Sequence, residues 1–188
     1  MQSNIIILLV GESGSGKTTI ANQLAQYGLT QVRSYTTRPP RSPDEDSHTF
    51  ITDDEFKTLQ HLVAYTYFNG HRYGATQEQI DNNDIYVVDP AGINYFRQSY
   101  TGNKTPVVVY LRVSESERLQ RMINRGDSLE ATSERIIHDR EAFADVEDMA
   151  DFVIDNDNAM YATHMLLDIF NWTASATKEE KVNTIEKD

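Results

Sequence analysis

The chain of 188 residues contains no cysteine. That excludes a disulfide framework, a thiol nucleophile and a cysteine-based metal site. No apolar run approaches the ~20 residues needed to cross a bilayer. The sequence enters an apolar run at residue 4 with no leader-like pattern before it, and a cytoplasmic location is expected. Basic residues are also scarce: 17 Lys and Arg stand against 29 Asp and Glu, for a net charge of −12. Nucleic-acid affinity rests mainly on Lys/Arg–phosphate contacts, so no nucleic-acid partner is expected. Hydrophobic residues at 39% and charged residues at 24% are ordinary for a soluble globular chain, and the length suits one domain with a full core. Homo-oligomerisation is left open by these numbers.

What is present begins with Ile5-Ile6-Ile7-Leu8-Leu9-Val10, then Gly11-Glu12-Ser13-Gly14-Ser15-Gly16-Lys17-Thr18, then a helix-like stretch from Thr19 to Tyr27 closed by Gly28. Strand, Gly-rich loop and helix form the context that the phosphate-binding loop requires. Glycines let backbone N–H groups approach phosphate oxygens, and the helix N-terminus adds unpaired N–H groups and partial positive charge. Lys17 is placed to reach the β- and γ-phosphates, and the Thr18 hydroxyl to ligate Mg²⁺. The loop implies a nucleoside triphosphate, not what receives its phosphate.

Further along, Gln31 to Tyr35 reads as a second strand, followed by Thr36-Thr37-Arg38-Pro39-Pro40-Arg41-Ser42-Pro43. This is either a solvated turn or an anion clamp, with Arg38 and Arg41 on a stiff backbone. Thr52-Asp53-Asp54-Glu55 is a capping box opening a helix to about Gln60. Residues 62–74 read as short strands around Asn69-Gly70. Their aromatics, Tyr65, Tyr67, Phe68 and Tyr73, suit either a core or the gripping of a flat ring. A short helix is expected from Thr76 to Asn83. Ile85-Tyr86-Val87-Val88-Asp89 is an apolar strand ending in an acid, either a helix N-cap or a group on the ligand side of an open sheet. Residues 106–112 form another strand.

Ser114-Glu115-Ser116-Glu117 reads as a second capping box, opening a helix to about Asn124 that carries Arg118, Arg121 and Arg125 on one face. Gly126-Asp127-Ser128 interrupts it. A helix from about Ala131 to Asp148 carries Arg135 and Arg140. Two arginine-bearing helices about a glycine make a lid or, alternatively, a pair laced by salt bridges. Phe152-Val153-Ile154 is the last strand, Ala159 to Phe170 the last helix, and 173–188 a polar tail expected to be disordered. Alternation of strands and helices predicts an α/β fold with a largely parallel sheet.

With these residues placed, the chain resembles the guanylate kinase-type nucleoside monophosphate kinases from about Asn4 to Phe170. The resemblance rests on the P-loop, on Ser34-Tyr35-Thr36-Thr37-Arg38-Pro39-Pro40-Arg41, on Tyr73-Gly74, on the Arg118–Arg125 helix with Arg135 beyond, and on Ile154-Asp155-Asn156-Asp157. It implies a P-loop NTPase-type parallel sheet flanked by helices, a small mixed acceptor-binding subdomain and a helical lid. The core would be 1–33, 84–124 and 132–172, the acceptor segment 34–83 and the lid 125–131.

The resemblance also implies ATP and Mg²⁺ as cofactors. Gly11, Glu12, Ser13, Gly14, Ser15, Gly16, Lys17, Thr18, Thr19 and Asn156 would meet ATP. Lys17, Arg125 and Arg135 would stabilise the phosphoryl group in flight. Ser34, Arg38, Arg41, His48, Tyr73 and Asp89 would meet the acceptor, GMP or dGMP. The sequence departs from the family pattern where His48 replaces a Tyr, Ala64 a base-reading Glu, Ala75 a Ser or Thr, and Val87 an acid. Those departures leave two alternatives beside guanylate kinase: the same chemistry on another acceptor, such as a different (deoxy)nucleoside monophosphate or ribose 1,5-bisphosphate, or a non-catalytic binding module.

Overall fold

The computed structural model describes residues 3–185. The chain runs β1 (Ile5–Val10), α1 (Lys17–Ala25), β2 (Tyr35–Thr36), β3 (Thr49–Phe50), α2 (Asp53–Thr58), β4 (Leu62–Phe68), β5 (His71–Thr76), α3 (Gln77–Asp81), β6 (Ile85–Val87), α4 (Pro90–Ser99), β7 (Thr105–Arg112), α5 (Glu115–Asn124), α6 (Leu129–Ala142), α7 (Val146–Met149), β8 (Phe152–Asp155) and α8 (Ala159–Ile185). It forms a mixed α/β fold with a parallel sheet flanked by helices.

The parallel sheet has the order β6-β1-β7-β8. Every residue of β1 is buried because helices cover both faces of the sheet. Successive side chains point to opposite faces, so Ile5, Ile7 and Leu9 join one apolar cluster with Ile20, Leu24 and Leu166. Ile6, Leu8 and Val10 join a second with Val88, Ile93 and Phe96. Because β1 sits between β6 and β7, its C-terminal end opens at the point where strand order reverses, the usual ligand crevice of an open α/β sheet.

The second sheet, β3-β2-β5-β4, is mixed: β2 pairs parallel with β3 and antiparallel with β5, which pairs antiparallel with β4. Asn69 and Gly70 both have positive φ, at 48° and 78°, giving the two-residue hairpin turn that the dipeptide predicts. The expected strand at Gln31–Tyr35 is divided between the sheets. Gln31 makes one bridge to Ile85 of the parallel sheet, whereas Tyr35 and Thr36 form β2 in the mixed sheet.

Caps account for most helix boundaries. Thr52 and Glu55 complete a reciprocal capping box at α2, as do Thr76 and Gln79 at α3, so Thr76 lies before its helix rather than in it. At α5, Ser114 caps Glu117 N–H, but the box is only half made, because the Glu117 carboxylate turns to Arg121 at 3.0 Å. Gly126, at φ +95°, ends α5: its N–H reaches Ile123 O and the next N–H reaches Met122 O. That paired pattern needs a left-handed residue, which glycine adopts without steric cost.

The single helix expected over 131–148 is two, α6 and α7, broken at Phe143–Asp145. The last helix does not end at Phe170; it continues to Ile185, so the expected disordered tail is helical as far as described, and 186–188 lie outside the described residues. Trp172 packs edge-on against Phe152, and Ala174 against the β1–α8 cluster, which carries the helix past the point where apolar periodicity fades. No helix among the described residues is long and apolar enough to cross a membrane.

Phe96 is 1% exposed and stacks on Tyr100 at 4.6 Å between ring centroids. Phe96→Ala is expected to lower stability by about 3–5 kcal/mol, read by urea unfolding with the denaturant slope unchanged.

Candidate active site

The P-loop joins β1 to α1. Gly16 is the N-cap of α1 at φ +95°, and a Cβ there would lie 2.6 Å from Asn156 Nδ2. Both the backbone conformation and the space demand glycine. Four elements brace the loop. From β7, the Tyr110 hydroxyl donates to Glu12 at 3.0 Å. From α5, the buried Arg118 guanidinium lies 3.6 Å from Glu12 and 3.5 Å from Asp139. From α6, Asp139 Oδ2 accepts the Ser13 backbone N–H at 2.7 Å. Just beyond β8, the buried Asn156 amide donates to Ser15 O at 2.7 Å.

Asn156, expected near ATP, is 1% exposed and donates its amide to the loop itself. Arg118 and Arg121 belong to the brace, not to a lid, since Arg121 donates to Asn156 O at 2.8 Å. Arg140 points outward to Glu115 at 2.6 Å.

A cavity of about 260 Å³ opens in front of the loop. Of the expected site residues, Gly11, Ser13, Lys17, Ser34, Arg41, His48, Tyr73, Asp89 and Arg135 line it. Glu12, Gly14, Ser15, Gly16, Thr18, Thr19, Asn156, Arg38 and Arg125 lie outside its lining. Thr18 and Thr19 are exposed on the first turn of α1. At the loop end of the cavity, Lys17 Nζ donates to the Gly11 and Glu12 carbonyls. Burial pushes its ammonium down to about 8, against the opposing pull of Asp139 and Glu12.

At the far end, the two arginines of the Pro-rich loop part company. Arg38 lies outside the lining: it is held bidentately by Glu45 at 2.7 and 3.2 Å and lies 5.3 Å over the Phe50 ring. That guanidinium holds the Glu45 carboxyl down to about 2. The pair is therefore ionised and internally neutral, and the expected two-arginine clamp presents one arginine to the cavity. Arg41 is that one. Burial, then Arg38 and Arg135, push its guanidinium below its usual range, a strain that a bound anion relieves.

Beside it, Ser34 Oγ lies 3.0 Å from His48 Nδ1, and the His48 and Tyr73 rings meet edge-on at 5.7 Å. Burial, then Arg38, push the His48 imidazole down, favouring its neutral form. Asp89 fills both roles open to it in the sequence: Oδ1 caps α4 through Gly92 N–H at 2.7 Å and accepts the Thr66 hydroxyl at 2.8 Å, while the residue lines the cavity.

Arg125 and Arg135 converge on Asp127 of the segment between α5 and α6, with contacts as short as 2.5 and 3.7 Å respectively. Opposite them, Phe68 at the hairpin end meets His138 of α6 at 4.6 Å, so the second sheet and α6 touch across the cavity. Sequence reasoning missed Asp139, His138, Thr66, Tyr86 and Phe143, and left Phe68 open between a core and a ring-gripping role. Asp139 stands four residues after Arg135, hence on the same helix face, a spacing that carried the signal.

A loop of this build at a sheet switch point, facing a cationic site across a shared cavity, defines a P-loop phosphotransferase. The family model described as guanylate kinase matches residues 2–172. The chain belongs to the guanylate kinase family and is a nucleoside monophosphate kinase. It is 30% identical over 175 residues to a guanylate kinase of Synechococcus sp. (strain JA-3-3Ab), covering 86% of this chain and 79% of that one. It is 26% identical over 172 residues to a guanylate kinase of Bacillus subtilis (strain 168), covering 84% and 83%. The crystal structure of guanylate kinase from Anaplasma phagocytophilum matches with a TM-score of 0.65 over 93% of this chain and 88% of that one, at 17% identity, a likeness of fold.

Asp139 occupies a P-loop N–H of the kind that receives phosphate. Asp139→Asn is expected to tighten ATP binding by about tenfold, measured by calorimetry, because one anion beside the incoming phosphates is removed. Lys17 binds phosphate only while charged. The kcat/KM for ATP, which reports the free enzyme, is therefore expected to fall as pH rises through about 8.

Proposed function

We propose that the chain transfers the γ-phosphoryl group of ATP to a nucleoside monophosphate, with GMP or dGMP among its acceptors. The observation that carries this reading is one cavity with two cationic ends, Lys17 on the P-loop and Arg41 on the Pro-rich loop, with Arg135 of α6 also in its wall. A triphosphate at one end and a monophosphate at the other would meet over the gap between them. An acceptor phosphate oxygen would attack the γ-phosphorus in line as the bond to the β-phosphate oxygen breaks, and ADP would leave. Such a transfer needs positioning and charge neutralisation more than covalent help.

In this reading the P-loop amides and Lys17 hold the β- and γ-phosphates. Arg41, Tyr73, Ser34 and His48 hold the acceptor, with Arg38 fixing the Pro-rich loop through Glu45. Arg135 and Arg125, tied together by Asp127, neutralise charge on the group in flight. Among the described residues no cluster of three or more His, Asp or Glu forms a metal cage. The exposed Thr18 hydroxyl instead fits a hard cation shared with the nucleotide's phosphates and water, the manner in which Mg²⁺ is usually held. Mg²⁺ held by Thr18 would supply positive charge against that of the triphosphate. Retention of Lys17, Arg125 and Arg135 supports catalysis over a binding-only role, and the ATP requirement points to the cytoplasm.

The test is ADP formation from Mg-ATP with GMP and dGMP. Lys17→Ala is expected to lower kcat at least 100-fold with the fold retained by circular dichroism. Arg41→Ala is expected to raise the KM of the acceptor about tenfold or more while leaving that of ATP within about twofold. Equal effects on both substrates would place Arg41 outside the acceptor end.

A further inference from the structure

We infer that His48 takes up a proton from solvent as the acceptor binds, so that the acceptor phosphate is met by two cations, the Arg41 guanidinium and a His48 imidazolium. This deepens the reading above and rests on its assignment of the far end of the cavity to the acceptor. His48 stands where the family pattern has a tyrosine. A phenol donates one hydrogen bond and never becomes a cation, whereas an imidazole does both near neutral pH. The exchange therefore adds a charge that a ligand can switch on.

The ring is held at three points. Its Nδ1 lies 3.0 Å from Ser34 Oγ, and it meets the Tyr73 and Phe50 rings edge-on, at 5.7 and 6.2 Å between centroids. With Nδ1 engaged, Nε2 is the nitrogen left for a ligand: among the described residues it makes no side-chain hydrogen bond. His48, Ser34, Tyr73 and Arg41 line one cavity. Either neutral tautomer becomes the same cation without moving a heavy atom. A serine hydroxyl accepts as readily as it donates, so in the imidazolium Nδ1–H donates to Ser34 Oγ and Nε2–H donates to a phosphate oxygen.

The charges around the ring favour this order of events. Arg38 and Glu45 pair at 2.7 Å and largely cancel one another. Tyr73 and Phe50 bring a phenol and a hydrocarbon ring, and Ser34 a hydroxyl. Burial, then Arg38, disfavour the imidazolium in the free protein, with Arg41 on the same side and Glu45 and the Ser34 backbone opposing. A phosphate monoester carries a charge of roughly −1.5 to −2 at pH 7, which reverses the sign of the field at the ring. One guanidinium leaves such an anion short of a partner, and the proton supplies the second charge. An opposite charge within about 4–6 Å shifts a titration by about one to three pH units toward the charged form.

The experiment follows the imidazole nitrogen NMR signals of isotope-labelled protein from about pH 5.5 to about pH 9, without ligand and with GMP, ribose 5-phosphate or guanosine. The chain has five histidines. His48 is identified by the signals missing from His48→Gln or, should that variant not fold, by its proximity to the Phe50 and Tyr73 rings. Its titration midpoint is expected to rise by about one pH unit or more with GMP and with ribose 5-phosphate. It is expected to stay in place with guanosine, which has the ring but no phosphate. An unmoved midpoint with both phosphates, or an equal rise with guanosine, would overturn the inference, while turnover of GMP would keep the kinase reading intact. A raised midpoint without turnover of any monophosphate would sink the kinase reading and leave His48 as a proton-coupled phosphate ligand.

Discussion

The structure depends on keeping a loop of unpaired backbone N–H groups rigid at the N-terminus of α1. Such a loop has no strand ladder or helical turn to hold it, and glycines at positive φ give it little intrinsic preference for one shape. The protein supplies the rigidity from outside. Tyr110 holds Glu12, Arg118 bridges Glu12 and Asp139, Asp139 takes the Ser13 N–H, and Asn156 takes the Ser15 carbonyl. Each contact comes from a different element, so the loop is also where β7, α5, α6 and the end of β8 are tied together.

One consequence is a link between nucleotide binding and the position of α6. Asp139 and Arg135 lie one turn apart on that helix, one against the P-loop and the other in the cavity wall near Asp127. A phosphate that displaced the Asp139 carboxylate would bear on the same helix that carries Arg135. Phe68 against His138 extends the connection to the second sheet. The P-loop, α6 and the second sheet therefore share one set of contacts around the cavity.

Charge is distributed with equal economy. The chain carries a net charge of −12, yet Lys17, Arg41 and Arg135 all face the cavity. Acids elsewhere do not neutralise them, because burial and short distance count for more than the total. Local pairing then sorts the arginines. Glu45 claims Arg38, Glu115 claims Arg140, Glu12 and Asp139 share Arg118, and Arg41 is left to face the cavity.

Local chemistry was legible in the chain. The P-loop between β1 and α1, the hairpin at Asn69-Gly70, the box at Thr52–Glu55 and the stop at Gly126 each need only a few neighbouring residues, whose backbone preferences set their shape. Burial of all of β1 followed from an unbroken apolar run. What was not legible involved partners far apart in sequence. Whether Arg38 or Arg41 faced the cavity turned on Glu45, four residues beyond Arg41 but placed by the loop's path. Whether α8 stopped at Phe170 turned on Phe152, which is on another strand. Asp139 reached Ser13 across 126 positions. Periodicity reports which face of an element is apolar, not what stands opposite it. A hydrogen bond or ion pair is decided at about 3 Å, so only the packing of the elements could settle which polar groups braced the loop and which were left to receive substrates.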